Sequence, residues 1–205
     1  MRAAWRHIAV EGAIGVGKTT LAARLARHFG AVLVREQPED NPFLERFYGD
    51  ASGYALQAQL FFLFQRARQQ QALAQPQIFA PQAVSDYLFD KDELFARLNL
   101  SDEEYRLYAR IHAWIAPRVP APDLVLWLRA PTALLLERIR RRGIRMEQRI
   151  APEYLDRLAD AYAAHFAGYR AAPVLAIDTE GFHPAADEAD FAGLLARIER
   201  ALDGR

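Results

Sequence analysis

Gly12-Ala13-Ile14-Gly15-Val16-Gly17-Lys18-Thr19 has the spacing G-x-x-x-x-G-K-T, that of a phosphate-binding loop. The flanks suit it. His7-Ile8-Ala9-Val10 reads as a short buried strand, and the residues from Thr20 on read as a helix, with Leu21 and Leu25 one turn apart. Glycines let the backbone aim several N–H groups at one anion, and the helix N-terminus adds partial positive charge. Residues 12–19, with Thr20, are therefore the expected ATP contacts. Lys18 can reach the terminal phosphates, and the Thr19 hydroxyl can bind Mg²⁺. Of 26 basic residues only Lys18 and Lys91 are lysines. In so arginine-biased a chain, a lysine in this loop indicates that a compact point charge is wanted there.

The 205 residues suit one α/β domain, and 52% hydrophobic content is enough for a sizeable core. A formal net charge of +0 gives no global electrostatic case for nucleic acid or an acidic membrane. With no cysteine there is no disulfide framework, zinc–thiolate site or cysteine nucleophile. The N-terminus runs almost at once into the first strand without a separate apolar signal segment. No run reaches the ~18 apolar residues of a membrane span. The expectation is a cytoplasmic protein with a single domain over residues 1–205.

Ala31-Val32-Leu33-Val34-Arg35 reads as a second strand, with Glu36 at its C-terminal end. Ligands of open parallel sheets sit beyond the carboxyl ends of the strands, so Glu36 is either a catalytic carboxylate or a solvated loop acid or helix-capping partner. The stretch 37–42, with Pro38 and Pro42, is a loop. Helical runs follow, one with Phe43, Leu44, Phe47 and Tyr48, and a longer one over about 55–74. That longer run carries Gln57, Gln59, Gln65 and Arg66 among its apolar residues. A buried amide needs partners, and Gln59 could offer its donor and acceptor to a base edge. Ala83-Val84-Ser85-Asp86 reads as a third strand whose terminal Asp86 can hold Mg²⁺ directly or through water. Helices are expected over 91–98 and 102–115, the second capped by Ser101 with Glu104. Pro117, Pro120 and Pro122 close that region. Residues 123–128 form an apolar strand of the kind covered on both faces. A helix around Leu134, Leu135, Leu136 and Ile139 then turns basic: Arg138, Arg140, Arg141, Arg142, Arg145 and Arg149 put six arginines into twelve residues. With Gly143 as a hinge and Glu147 as the one acid inside, this reads as an arginine lid over the phosphates, about residues 140–150. Arg140 is placed on ATP, and Arg142 and Arg145 on the transferring group. A helix over 152–170, a strand over 174–177 and a closing helix over 187–201 complete the chain.

Taken together, the phosphate loop, Glu36, the spacing of Tyr48, Gln59 and Arg66, and the segment from Arg142-Gly143 through Glu147 to Pro152-Glu153-Tyr154-Leu155 resemble the deoxynucleoside kinases, relatives of the thymidylate kinases, along nearly the whole chain. The resemblance implies a P-loop NTPase fold with a central five-stranded parallel sheet flanked by helices. It implies transfer of the ATP γ-phosphoryl group to the 5′-hydroxyl of a deoxynucleoside, with Mg²⁺, and a homodimer. It makes Glu36 the general base, sets Tyr48 and Glu147 on the sugar 3′-hydroxyl, Gln59 on the base and Arg66 beside it, and gives Asp86 to the substrate and metal site. One departure stands out. The family usually follows the third-strand acid with Arg-Ser, and here Tyr87-Leu88 follow it, so Lys91 or a lid arginine has to supply that charge. Two other readings are a thymidylate-type nucleoside monophosphate kinase and a nucleotide-binding regulator without an acceptor. An acid at position 36 repels the phosphate that the first would need. The second leaves Glu36, Tyr48, Gln59 and Glu147 without a task.

Overall fold

β1 (His7–Gly12) lies at the centre of a sheet whose strands all run parallel, in the order β2-β3-β1-β4-β5. The other strands are β2 (Val32–Val34), β3 (Ala83–Ser85), β4 (Leu124–Arg129) and β5 (Val174–Asp178). The structure is a computed structural model and describes residues 5–49, 51–74, 82–115 and 120–203. Ile8, Ala9 and Val10 of β1 and Leu124, Val125 and Leu126 of β4 are completely buried, as expected of central strands covered by helices on both faces. Every strand lies in the predicted place, with ends shifted by one or two residues.

Parallel strands need crossovers, and eight helices are described: α1 (Lys18–Phe29), α2 (Leu44–Gly49), α3 (Ala51–Ala74), α4 (Lys91–Asn99), α5 (Asp102–Ile115), α6 (Thr132–Arg142), α7 (Pro152–Gly168) and α8 (Glu188–Asp203). Two segments depart from the sequence expectation. Pro38–Asp40 forms a short 3₁₀ turn where a plain loop is expected, and α3 begins at Ala51 instead of near residue 55. Ser101 and Glu104 cap α5 reciprocally: the backbone N–H of Ser101 donates to Glu104 Oε2 at 2.9 Å, and that of Glu104 to Ser101 Oγ at 3.4 Å. Pro117, read as part of the segment closing this helix, lies outside the described residues.

The crossover from β2 to β3 carries α2 and α3 and has a small apolar cluster of its own, built on Leu44, Phe47, Ala55, Ala58 and Phe62. Buried Asn41 pins its entrance: its amide donates to Ala58 O at 3.1 Å and its carbonyl accepts from the Phe43 N–H at 3.0 Å. The main core is a separate cluster and joins β1, β3, β4 and β5 with α1, α4, α6, α7 and α8.

Candidate active site

The phosphate loop lies between β1 and α1 and is pressed against β4 and α6. Gly15 has a φ of 84°, and a Cβ there would come within 2.9 Å of Leu135 O and 2.8 Å of Ile139 Cγ1. A side chain at this point would thus be strained by backbone and neighbour alike. Lys18 folds back over the loop and donates to Gly12 O at 2.7 Å and Ala13 O at 3.0 Å. Burial and the nearby Lys91 push its ammonium down to about 8, against the pull of Glu11, Glu36 and Asp86. From beneath, completely buried Glu11 ties the loop to its surroundings. It accepts from Gly12 N at 2.8 Å, Leu88 N at 2.8 Å and the Tyr162 hydroxyl at 2.9 Å. The sequence reading gave Glu11 no role. An acid inside an otherwise apolar strand is the signal that would have found it, since a buried carboxylate has to be satisfied.

Two acids stand at the carboxyl ends of the neighbouring strands. Asp86, one residue past β3, accepts from Thr19 Oγ1 at 2.6 Å with one oxygen and from the Glu36 backbone N–H at 2.7 Å with the other. One carboxylate thus joins the phosphate loop to the end of β2. Burial raises its pKa, opposed by those two donors. Thr19 and Asp86 are hard oxygen ligands of the kind Mg²⁺ takes, usually as one or two protein groups completed by water and substrate phosphates. Among the described residues no cluster of three or more acids or histidines could hold a metal unaided, so the pair fits an ion that arrives on a nucleotide.

Glu36 faces the same edge and is bound by cations. Arg66 Nε donates to its Oε1 at 2.9 Å, Arg66 Nη2 binds the same oxygen, and Lys91 Nζ lies 3.2 Å from Oε2. Burial would lift the Glu36 carboxyl, but Arg66, Lys91 and Lys18 hold it well below the usual carboxylate range. Arg66 also pairs through Nη1 with Asp92, which is completely buried. Burial pushes Asp92 up to about 6 in spite of that guanidinium. The glutamines of α3 divide the remaining work. Gln65 donates to Gln37 O at 3.2 Å and Gln69 to Arg35 O at 2.8 Å, clamping the backbone on either side of Glu36. Gln59, two turns before Arg66 on the same helix face, is buried, and its amide oxygen has no partner among the described residues. Tyr48, on α2, has its phenol pushed far up by burial, with Tyr154, Glu147 and Glu36 adding to the effect and Arg142 opposing it.

The lid consists of the end of α6, Gly143 at a φ of 71° and a 3₁₀ turn over Arg145–Arg149. Arg142 pairs with Glu147. Met146 packs onto the α2–α3 cluster. The six arginines are not equivalent. Arg138 is built into the cleft floor, donating to Val16 O at 3.2 Å, Thr179 Oγ1 at 2.9 Å and Thr179 O at 2.8 Å. A cleft of about 720 Å³ opens between the phosphate loop, α6 and the segment after β5, lined by Arg138, Arg141 and Arg142 and by Phe182 and Pro184. Arg140 and Arg145 are exposed and do not line it. The structure therefore brings together Lys18, Thr19, Glu36, Arg66, Asp86 and, at the rim, Tyr48, Arg142 and Glu147. It leaves Arg140 and Arg145 outside.

The sequence model of the deoxynucleoside kinases matches residues 8–202. The chain belongs to the deoxynucleoside kinase family. The kinase is 31% identical to a deoxyguanosine kinase of Bacillus subtilis, over 95% of this chain and 97% of that one. It is 28% identical to a deoxyadenosine/deoxycytidine kinase of the same organism, over 95% and 92%. Its fold matches that of a deoxyadenosine kinase from M. mycoides solved with bound dATP, with a TM-score of 0.81 at 22% identity, covering 94% of this chain and 98% of that one. The sheet and helices around the kinase's site are thus those of the family. No helix among the described residues is long and apolar enough to cross a membrane.

Proposed function

We propose that the kinase moves the γ-phosphoryl group of ATP to the 5′-hydroxyl of a deoxynucleoside with Glu36 as proton acceptor. The observation that carries this reading is the position of Glu36: its carboxylate stands on the sheet edge that holds Lys18, Thr19 and Asp86, and Oε2 touches only Lys91 among the described residues. The acceptor hydroxyl donates to Oε2. As its oxygen bonds to the γ-phosphorus, the bond from phosphorus to the β–γ bridging oxygen breaks and its electron pair leaves with ADP. The hydroxyl proton passes to Glu36. Such transfers depend mostly on positioning and charge stabilisation. Lys18 and the loop N–H groups hold the phosphates, Arg142 closes over them, and Arg145 joins only if the lid moves. Mg²⁺ held by Thr19 and Asp86 would neutralise phosphate charge.

On the acceptor side, Gln59 offers its unpartnered amide oxygen to the base, Arg66 lies beside the base, and Tyr48 with Glu147 takes the 3′-hydroxyl. A panel of deoxynucleosides and deoxynucleoside monophosphates with labelled ATP tests this. Phosphate on nucleosides alone is expected, whereas turnover of monophosphates alone would replace the reading by a monophosphate kinase. Half-exposed Phe64 and Leu107 and the largely exposed Trp114, on α3 and α5, support a homodimer through that face. A monomer mass by light scattering at micromolar concentration would refute it. A cytoplasmic location, where ATP and salvaged deoxynucleosides meet, goes with this reading and is open to cell fractionation.

A further inference from the structure

The kinase has two lysines and 24 arginines, and both lysines are in this site. Lys91 opens α4 and is 5% exposed, although lysine is almost never buried without a partner. Its ammonium lies over the Phe95 ring, with Nζ 5.2 Å from the centroid. Nζ reaches Glu36 Oε2 at 3.2 Å. Arg66 gives two donors to Oε1 and divides its one charge between Glu36 and buried Asp92, so Lys91 is the cation that meets Oε2. Lys91 is also close enough to repel Lys18. Two buried like charges near one another are costly unless something negative comes between them.

We propose that Lys91 is the acceptor-side counterpart of Lys18, a positioning residue that holds Glu36 Oε2 toward the acceptor hydroxyl and offsets the negative charge of the phosphoryl group as it arrives there. The need for it follows from the chemistry. Transfer places a phosphate beside the Glu36 carboxylate, and that product would be repelled by a bare acid. Lys18 supplies positive charge where the phosphoryl group departs, and Lys91 supplies it where the group lands. A compact ammonium with three rotatable donors can turn from Oε2 toward a new phosphate oxygen, whereas a planar guanidinium has its fork fixed.

This inference rests on the deoxynucleoside kinase reading, so wild-type turnover of a deoxynucleoside is measured first; its absence would overturn that reading and not the role of Lys91 within it. Lys91→Gln and Lys91→Met are then compared with wild type by steady-state kinetics and by calorimetric binding of a deoxynucleoside and of its 5′-monophosphate. The expected result is a kcat lower by about 10²-fold, the range seen when one pre-placed charge-stabilising donor is removed. Nucleoside affinity should stay within about threefold and monophosphate affinity fall by about tenfold or more, because only the monophosphate meets the missing charge. Lys91→Arg, which keeps the charge but not the turning donors, should recover part of the monophosphate affinity and little of kcat. If nucleoside and monophosphate affinities fall by the same factor, or kcat stays within about threefold of wild type, Lys91 is a structural ion-pair partner and the proposal is overturned. Lys91→Met keeps the apolar stem, so it reads the same quantities if Lys91→Gln does not fold.

Discussion

Arg66 spends two donors on a single oxygen of Glu36, leaving the other oxygen of that carboxylate to Lys91. A side chain on α3 thus decides which oxygen of the strand-end acid is left to other groups. Glu36→Gln keeps the shape and one oxygen but removes a basic site. In a loose phosphoryl-transfer transition state the hydroxyl proton leaves late, so even a weakly basic carboxylate suffices. We expect kcat to fall by about 10²-fold, the low end for general base catalysis, with ATP binding unchanged. A rise in nucleoside KM at constant kcat would make Glu36 a binding group only.

Arg66 also neutralises Asp92, which has no exposure to water. Arg66→Met should destabilise the fold by about 3 kcal/mol in urea, because removing one member of a buried pair strands the other. Adding Asp92→Asn to that variant should recover part of the loss. Asp92→Asn alone completes the cycle, and a double-variant loss equal to the sum of the two single losses would show that the two groups are not coupled.

Lys18→Ala should give a folded protein without turnover, since the charge proposed to position phosphates is lost while its hydrogen bonds among the described residues go to two backbone carbonyls. Circular dichroism and the labelled-ATP assay check this together. Near-normal activity in a folded variant would remove the phosphate-loop assignment.

The lid is rich in trypsin sites and is docked through Met146 on the α2–α3 cluster. Met146→Ser should speed tryptic cleavage between Arg142 and Arg149, and saturating ATP or a bisubstrate analogue should slow it in both proteins. A cleavage rate indifferent to ligand would argue that the lid does not close on the nucleotide.

His7 packs against Ser85, with Nε2 2.8 Å from Ser85 Oγ, and that hydroxyl donates to Tyr87 O at 2.6 Å. The ring therefore donates from Nε2, an assignment made from the network. Burial lowers its pKa to about 4, with Asp123 pulling the other way. The folded value lies below the unfolded one, so the stabilisation is whole above the unfolded value of about 6.5 and fades as pH falls toward 4. Between pH 7 and 4.5 the wild type should lose on the order of 1–2 kcal/mol more than His7→Gln. Parallel pH–stability curves for the two proteins would contradict this.

Much of the architecture could be read in the chain because each strand there is a short apolar run and each crossover helix carries its own period. β4 and the reciprocal cap at Ser101 and Glu104 needed nothing beyond local pattern. Glu36 and Asp86 could be placed at one edge because strand ends in a parallel sheet converge. What escaped was what packing alone decides. Six arginines within twelve residues look alike on paper, but the turn of α6 sends Arg138 under the loop and Arg140 into solvent. The pairing of Arg66 with Asp92, and of Glu11 with Tyr162 across 151 residues, depends on which helices meet. The amides of α3 were recognisable as polar groups needing partners, but which of them would be left without one depended on the path of the loop at 35–37.

The excursion between β2 and β3 forms its own apolar cluster, apart from the core built on the sheet. Everything proposed to touch the nucleoside's base lies on that one detour, whereas the donor cleft belongs to β1, α1, α6 and the segment after β5. Asp86 joins the two halves, holding Thr19 of the phosphate loop with one oxygen and the Glu36 backbone with the other, and Met146 rests the segment after α6 on the α2–α3 cluster. Such a layout lets a lineage, or an engineer, exchange the nucleobase it accepts by rewriting a single helix face, while the machinery that handles ATP is inherited untouched.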